Sequence, residues 1–512
     1  MKSRSIMQHR FSEVPEIDMP RSTFDRSCGY KTTFDAGYLI PVYCDFMYPG
    51  DTAAAELTGF ARLSTPTSPI MDNMRLDTFF FSVPIRQIWS NWRKFCGEQV
   101  DPGDSISYSI PQIALTNIAN QTLFDYFGLP TQITSAYSVN NLMGRAYNHI
   151  WNEWFRDQNL QESVVVDLDD GPDSIADYVL LKRGKRHDYF TSALPWLQKG
   201  DAVQLSLGTS ADLATDVATA AAVGIYSTAE TDYQRLITAN SDLELDTVSI
   251  SSTNKMYADL ATATASTVNE LRQAIQVQKL LERDARAGTR YAEIVKSHFG
   301  VDFPDLAYRP EYLGGGSSPV MVAPVARTDS SPGSLGAVGT VGFRGHGFVK
   351  SFTEHCVVIG LACVTADLTY QEGIERHWLD QTRYDLYWPS LAHLGEQAIE
   401  NQEIYIDNTM IGAGTEDNTF GYQERYAHLR YKPSKITGKM RSNDANTLDV
   451  WHLGIEFGSL PTLDDTFIAE NPPIDRVIVT ATEPHFIYDS WLNYKHTRAL
   501  PVYSVPGYID HF

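Results

Sequence analysis

Four short runs rich in β-branched and aromatic residues most constrain the fold of this 512-residue chain. They are DTFFFSV (77–83), EHCVVIGLACV (354–364), VWHLGIEF (450–457) and RVIVTAT (476–482). Such residues favour strands, and an aromatic content of 12% agrees with them. Long intervals between runs are typical of jelly rolls, whose strands are joined by extended loops. We therefore expect an all-β, antiparallel sandwich with the long connections of a jelly roll, while a length of 512 residues leaves the number of domains open.

The stretch 201–266 differs from the rest of the chain. It is acidic and rich in Ala and Thr, and the segment 211–232 contains no Lys or Arg. The blocks on either side, 185–200 and 267–300, are aromatic and basic instead. Because long variable loops lie on protein surfaces, we predict that 201–266 is a surface insertion within the jelly roll.

Helices are expected to be few. Thr267 and Glu270 form a capping box, apolar residues follow at helical spacing, and Gly288 can end the helix. A second helix is predicted over 141–156, where an aromatic cluster indicates core packing. We interpret the Gly/Ser/Pro-rich stretch 314–348 as an extended arm that becomes ordered on assembly.

Charge and motifs exclude several classes of function. The net charge of −22 argues against a protein whose whole surface wraps nucleic acid. The sequence has no phosphate-binding loop, zinc-binding helix or nucleophile elbow, and its five cysteines form no CxxC pair. We expect no catalytic, cofactor or metal site. The apolar run at 354–364 is too short to span a membrane, so no membrane partner is expected either.

Two basic clusters are candidates for contact with nucleic acid. One lies at the amino terminus and the other precedes a group of aromatic residues that could stack on bases. Their members are Lys2, Arg4 and Arg10 in the first cluster, and Lys182, Arg183, Lys185 and Arg186 in the second. Ion pairs at subunit contacts explain both clusters equally well, and that alternative stays open.

Several motifs spread over the chain carry a family resemblance. They are PRSTFDRSCGYKTTFDAGYLIPVYCDFMYPGDT (20–52), FARLSTPTSPIMDNMRLDTFFFSVPIRQIW (60–89), RPEYLGGGS (309–317), FGYQERYAHLRYKPSKITGKMRS (420–442) and PGYIDHF (506–512). With the blocks around the insertion, the chain resembles the major capsid protein of microviruses, the small single-stranded DNA phages, and in particular their gokushovirus branch.

The resemblance implies a viral, antiparallel, eight-stranded jelly roll with long loop insertions, which occupies residues 1–512 as a single domain. It also implies a structural, non-enzymatic role. Many copies would assemble into a T=1 icosahedral shell around a circular single-stranded DNA genome, in the cytoplasm of a host bacterium. A small basic DNA-packaging protein and other virion proteins are the implied partners. The insertion 201–266 becomes the candidate for a protrusion at the threefold axes, which would contact a host surface receptor.

Contacts between subunits need buried anchors, and aromatic residues and arginines are enriched in such interfaces. Our candidates are Trp89, Trp92, Trp196, Arg283 and Arg286. The two arginines lie on the predicted helix after the insertion, where a solvated charged face is the simpler interpretation.

A jelly roll is also compatible with another class of protein. Glycan-binding and carbohydrate-active proteins use the same architecture, and tryptophan-rich surfaces stack on sugars. This alternative requires carboxylates that converge on one face of a sheet, for which the sequence offers little.

Overall fold

The computed structural model describes residues 20–203, 212–215, 222–239, 242–250, 255–259, 268–302, 308–326 and 335–503. The chain divides into two compact units. The first consists of Met1–Pro195 and Asp302–Phe512, and the second of Trp196–Val301. The amino-terminal candidates Lys2, Arg4 and Arg10 lie outside the described residues.

Strands dominate the first unit, as expected for an all-β protein. Before the second unit the strands are β1 (Ser22–Asp25), β2 (Cys28–Phe34), β3 (Ile40–Met47), β4 (Thr52–Leu63), β5 (Met74–Pro84), β6 (Gln112–Leu115) and β7 (Tyr137–Asn140). Within the second unit they are β8 (Asp212–Thr215), β9 (Gly224–Ser227), β10 (Asp232–Ala239), β11 (Asp242–Ser249) and β12 (Met256–Asp259). The rest are β13 (Glu311–Ala326), β14 (Leu335–Ser351), β15 (Cys356–Ala366), β16 (Thr369–Tyr370), β17 (Glu396–Glu400), β18 (Thr419–Glu424), β19 (Ser434–Lys435) and β20 (Phe486–Arg498).

One large antiparallel sheet forms the jelly roll. Its order is β1-β20-β4-β14-β13-β5-β15-β3, and β2 also pairs with β20. Since β1 pairs with the last four residues of β20 and β2 with its first seven, β1 and β2 lie end to end along one edge. The sheet thus has eight positions across, which confirms the predicted eight-stranded jelly roll.

The sheet curls until the side chains of its two edges meet. Arg26, between β1 and β2, forms an ion pair with Asp45 of β3 at the opposite edge. The rings of Tyr43 in β3 and Tyr494 in β20 lie 5.6 Å apart. Residues from both edges therefore share one core, which contains Phe34, Ile40, Phe486 and other buried side chains.

Strands β5 and β15 lie at the centre of the packing. All eleven residues of β15 are buried, and they alternate between two hydrophobic clusters. Cys356, Val358 and Val364 face the core inside the curled sheet, whereas Val357, Ile359 and Cys363 face a second cluster built on helices and loops. A strand covered on both faces needs a continuous apolar run, as residues 354–364 provide.

The glycine-rich stretch 314–348 is not an arm, so that prediction is wrong. Its described residues belong to β13 and β14, in the middle of the sheet. Gly315 has φ +157°, and a Cβ there would lie 2.0 Å from the carbonyl oxygen of Thr78 in β5. At Gly347 a Cβ would lie 1.9 Å from the carbonyl oxygen of Ala55. The glycines allow backbones to approach more closely than a side chain would permit.

The described helices are mostly short. They are α1 (Ile85–Ile88), α2 (Trp92–Phe95), α3 (Leu123–Tyr126), α4 (Leu142–Ile150), α5 (Val268–Ala287), α6 (Tyr291–Phe299), α7 (Asn401–Ile404), α8 (Asn408–Ala413) and α9 (Asp465–Ile468). Helix α4 continues as a π-helix over Trp151–Phe155, which confirms the helix predicted over 141–156. Helix α5 ends before Gly288, which has φ +97° as expected. No described helix is long and apolar enough to cross a membrane.

Two of the four predicted strand runs are wrong. Residues 77–83 and 354–364 lie in β5 and β15. By contrast, 450–457 contains the end of a 3₁₀ turn, Asp449–Trp451, and no strand. Residues 476–482 begin with the last residue of another 3₁₀ turn, Ile474–Arg476, and form only an isolated bridge, between Ile478 and Pro66.

The described residues of the second unit form small sheets and two helices. Strands β9, β10 and β11 form a three-stranded sheet, and β8 pairs with β12. Among the described residues of 201–259, no hydrophobic side chain is buried, whereas Tyr226, Leu245 and Val248 are each at least 45% exposed. The described residues of this stretch therefore form no hydrophobic core of their own.

The packing makes a testable prediction for the inner core. Phe80 of β5 is fully buried and its ring lies 5.2 Å from that of Phe348. Replacing it by alanine leaves a cavity, so we expect F80A to lower the free energy of unfolding by about 3–5 kcal/mol. The measurement is urea denaturation of the subunit followed by tryptophan fluorescence.

Phe60 of β4 supplies the matched control, since it is 51% exposed on the outer face of the same sheet. The F60A substitution removes the same atoms without opening a cavity, and we expect it to cost less than about 1 kcal/mol. Equal losses for the two variants would contradict the assigned inner and outer faces.

Candidate nucleic-acid and subunit-contact surfaces

The second predicted basic cluster lies in a segment that is fixed by backbone hydrogen bonds. The amide of Arg183 donates to the carbonyl of Gly37 (2.9 Å), and the amide of Lys185 donates to the carbonyl of Ile468 (2.7 Å). The amide of Glu470 donates back to the carbonyl of Arg183 (2.7 Å). The cluster thus joins the loop before β3 to the end of α9 and the residue Glu470 beyond it.

The side chains of this cluster have partners within the subunit. Arg183 lies 2.6 Å and Arg186 3.5 Å from a carboxylate oxygen of Asp77, which is buried in β5. Lys182 donates to the side chain of Asn471 (2.7 Å). The ammonium of Lys185 lies 4.7 Å from the ring centre of Phe467, and burial lowers its pKa. Contact of these residues with DNA stays a prediction, which these internal contacts do not test.

The predicted interface residues occupy different environments. Trp89 is fully buried in its own subunit, where its indole N–H donates to Asp170 (2.7 Å). Trp92 is partly exposed and packs 5.9 Å from the ring of Trp89. In the second unit, Trp196 is partly exposed, and Arg283 and Arg286 are exposed on α5. Since the ring of Trp89 is already covered, its contribution to an interface would be indirect; the role of the others stays a prediction.

A further basic segment was not among the predicted contacts. Residues 425–441, RYAHLRYKPSKITGKMR, contain six Lys or Arg residues and no Asp or Glu. Five of these cations are exposed: Arg430, which is paired with Glu424, and Lys432, Lys435, Lys439 and Arg441. This basic segment could have been identified from the sequence, because a run of positive charges interleaved with tyrosines is unusual in a chain with a net charge of −22.

This basic segment borders a cavity of about 120 Å³ in the first unit. Phe190 and Tyr370 line the cavity and are buried, and their rings lie 4.8 Å apart. Both belong to a third hydrophobic cluster, which includes Ile399, Ile404 and Phe467. Tyr431, Lys432 and Lys435 also line the cavity and are exposed. We call the cavity together with these three exposed residues the basic cleft.

Each carboxylate that lines the cleft has a cationic partner, and Arg376 is shared by Glu403 and by Glu400 (3.3 Å). Glu375 lies 2.5 Å from the ammonium of Lys435 and 4.0 Å from that of Lys432, and the hydrogen bond from Lys435 lowers its pKa. Deeper in the cavity, Arg376 lies 2.7 Å from Glu403, which also accepts from the hydroxyl of Tyr189 (2.8 Å). Burial raises the pKa of Glu403. The two lysines share a single carboxylate, so the mouth keeps a positive charge.

Exposed aromatic side chains continue from the cavity into the loop 376–388. Trp378 is 73% exposed and Tyr384 67% exposed. The guanidinium of Arg383 lies 5.0 Å from the ring centre of Trp388, and Arg425 donates to the carbonyl of Tyr384 (3.0 Å). Cations beside exposed rings can hold planar, negatively charged groups by stacking and charge together. No group of His, Cys, Asp and Glu suited to a metal ion occurs among the described residues.

The whole chain matches known phage proteins. A family model described as capsid protein (F protein) matches residues 12–508. Capsid protein VP1 of Bdellovibrio phage phiMH2K is 44% identical over 99% of this chain and 98% of its own length. Capsid protein VP1 of Chlamydia phage 1 is 42% identical, with 99% and 98% covered, and that of Spiroplasma virus 4 is 34% identical, with 99% of each covered.

These matches confirm the predicted resemblance and give no support to the glycan-binding alternative. They cover the jelly-roll strands and the basic segment alike. With a family match over almost its full length and full-length relatives at 34–44% identity, the chain belongs to the phage capsid protein (F protein) family.

Proposed function

We propose that this protein forms a T=1 icosahedral shell around a circular single-stranded DNA genome, without enzymatic activity. As a member of its family it is a structural capsid protein that assembles into a multi-subunit shell and lies in the virion. The full-length match to capsid proteins of three phages carries the proposal. The eight-position curled sheet agrees with it, since jelly rolls are a common architecture of viral capsid domains.

The charge of the chain bears on how DNA enters such a shell. A subunit with a net charge of −22 repels a polyanion over much of its surface. We infer that a small basic packaging protein, assembled with the shell in the host cytoplasm, supplies most of the neutralising charge. Local basic surfaces on the subunit supply the rest.

The insertion 201–266 is proposed to form the protrusion at the threefold axes and to contact the host receptor. Its described residues leave Tyr226, Leu245 and Val248 exposed. A contact among three copies would remove such side chains from water, which is favourable by about 25 cal/mol per Å² of apolar surface.

Assembly is the first test of the proposal. The protein expressed in a bacterial cytoplasm with a small basic packaging peptide should form uniform isometric particles with knobs, visible by negative-stain electron microscopy. Omission of the peptide should lower the DNA content of the particles more than their number, because the peptide supplies charge rather than shell contacts. Monomers or trimers under all conditions would count against the shell.

The insertion can be tested separately. Deletion of Thr209 to Ser252 should leave a folded subunit that still assembles, because no described hydrophobic side chain of this stretch is buried. The particles should lose their knobs in micrographs and bind less to host cells in a sedimentation assay. Loss of folded subunits would show that the stretch is part of the core rather than an insertion.

A further inference from the structure

We propose that the basic cleft binds the genome directly, with one base of single-stranded DNA in the cavity and the adjacent phosphates on Lys432 and Lys435. The inference rests on the proposed function, because it assumes that the shell encloses single-stranded DNA. It goes further by assigning the contact to a surface on the first unit that lies outside both predicted basic clusters.

The charge distribution selects a polyanion as the ligand. The side chains of Lys432 and Lys435 are 75% and 58% exposed, and Glu375 is their only carboxylate partner in the part of the chain that the structure describes. Lys439 and Arg441 lie further along the same segment and are exposed. Gln371 connects them to the cleft, since it lines the cavity and donates to Ser442 (2.9 Å). A DNA strand that crosses the cleft thus meets several cations one after another.

The cavity selects an unpaired base. Cavities of roughly 150 Å³ hold a benzene ring, so about 120 Å³ with an open mouth suits one planar ring. Phe190, Tyr370 and Tyr431 offer ring surfaces, and every base has a face that stacks on such rings. Bases in a duplex are already stacked, so the cleft favours single strands. Stacking does not depend on the base sequence. A shell that encloses a whole genome requires such sequence-independent contacts.

The partners of the two basic surfaces differ in a way that supports this choice. In the cluster Lys182–Arg186, Arg183 and Arg186 share the buried carboxylate of Asp77. A phosphate there would compete with a contact that holds the fold. In the cleft, the exposed Lys432 and Lys435 contact the partly buried carboxylate of Glu375. Ion pairs of exposed lysines are worth little, so both side chains can turn to a phosphate at small cost.

The test measures binding of fluorescent oligo(dT) to full-length dissociated subunits by anisotropy over a range of salt concentrations. For single strands, each phosphate contact contributes about 0.7 to the slope of log affinity against log salt. The double variant K432Q/K435Q should therefore have a slope about 1.4 smaller than wild type. Y431A should bind about 5- to 150-fold more weakly, as expected for loss of one stacked base.

Matched variants separate this site from a general effect of charge. K31Q/K495Q removes two lysines from the outer face of the sheet, and K432R/K435R keeps the charge of the cleft. Both should bind oligo(dT) with the wild-type slope. Unchanged thermal unfolding and particle formation by each variant establish that the subunit is intact. Equal losses in K432Q/K435Q and K31Q/K495Q would overturn the proposal.

A second measurement does not depend on substitutions that could disturb folding. Particles assembled on DNA that contains bromodeoxyuridine are irradiated, and the cross-linked peptides are identified by mass spectrometry. We expect cross-links within residues 425–441, at Tyr431 in particular. Cross-links confined to other segments would refute the inference, and so would binding of the cleft to a glycan panel with no affinity for oligo(dT).

The two proposals fail in different ways. Wild-type particles without DNA, from subunits that do not bind oligo(dT), would contradict the proposed function itself. DNA-filled particles whose cleft variants bind oligo(dT) as wild type does would leave the shell intact and refute only this site.

Discussion

Burial of both faces of β5 and β15 is the constraint on which the rest of the first unit depends. The two strands lie next to each other in the sheet, and alternate residues feed two separate hydrophobic clusters. On one side the curled sheet supplies the cover, and on the other side α4 and the loops around it do so. A strand that must be apolar on both faces cannot change register without exposing half of its residues or burying a polar one. Its register therefore also determines the register of the strands that pair with it.

This constraint explains which parts of the fold could be read from the sequence. The run at 354–364 is continuously apolar, and 77–83 is nearly so, which is the pattern of a doubly covered strand. The runs 450–457 and 476–482 have similar composition, but their apolar residues anchor loops to the core instead; Leu453 and Val477 are buried without belonging to a strand. Composition cannot separate these cases, because burial depends on partners distant in sequence.

The prediction of an extended arm at 314–348, where β13 and β14 lie, failed for a related reason. Glycine is usually unfavourable in a strand, yet Gly315 and Gly347 sit where a Cβ would collide with the carbonyl of a neighbouring strand. Likewise, Asp77 is about a hundred residues away from the arginines that it pairs with, so the sequence left the role of the cluster Lys182–Arg186 open. The basic segment 425–441 needed no such partner to be noticed, only a count of its charges.

The subunit divides its cations between two tasks. Arg183 and Arg186 are fixed on a buried carboxylate, where removal of a partner would leave charge uncompensated in the interior. Lys432, Lys435, Lys439 and Arg441 are exposed, and such side chains contribute little to stability. A capsid subunit benefits from this division, because it must fold before the genome is present. Cations that are to bind DNA must therefore lie at positions where folding does not depend on them. The lysines of the basic cleft meet this condition.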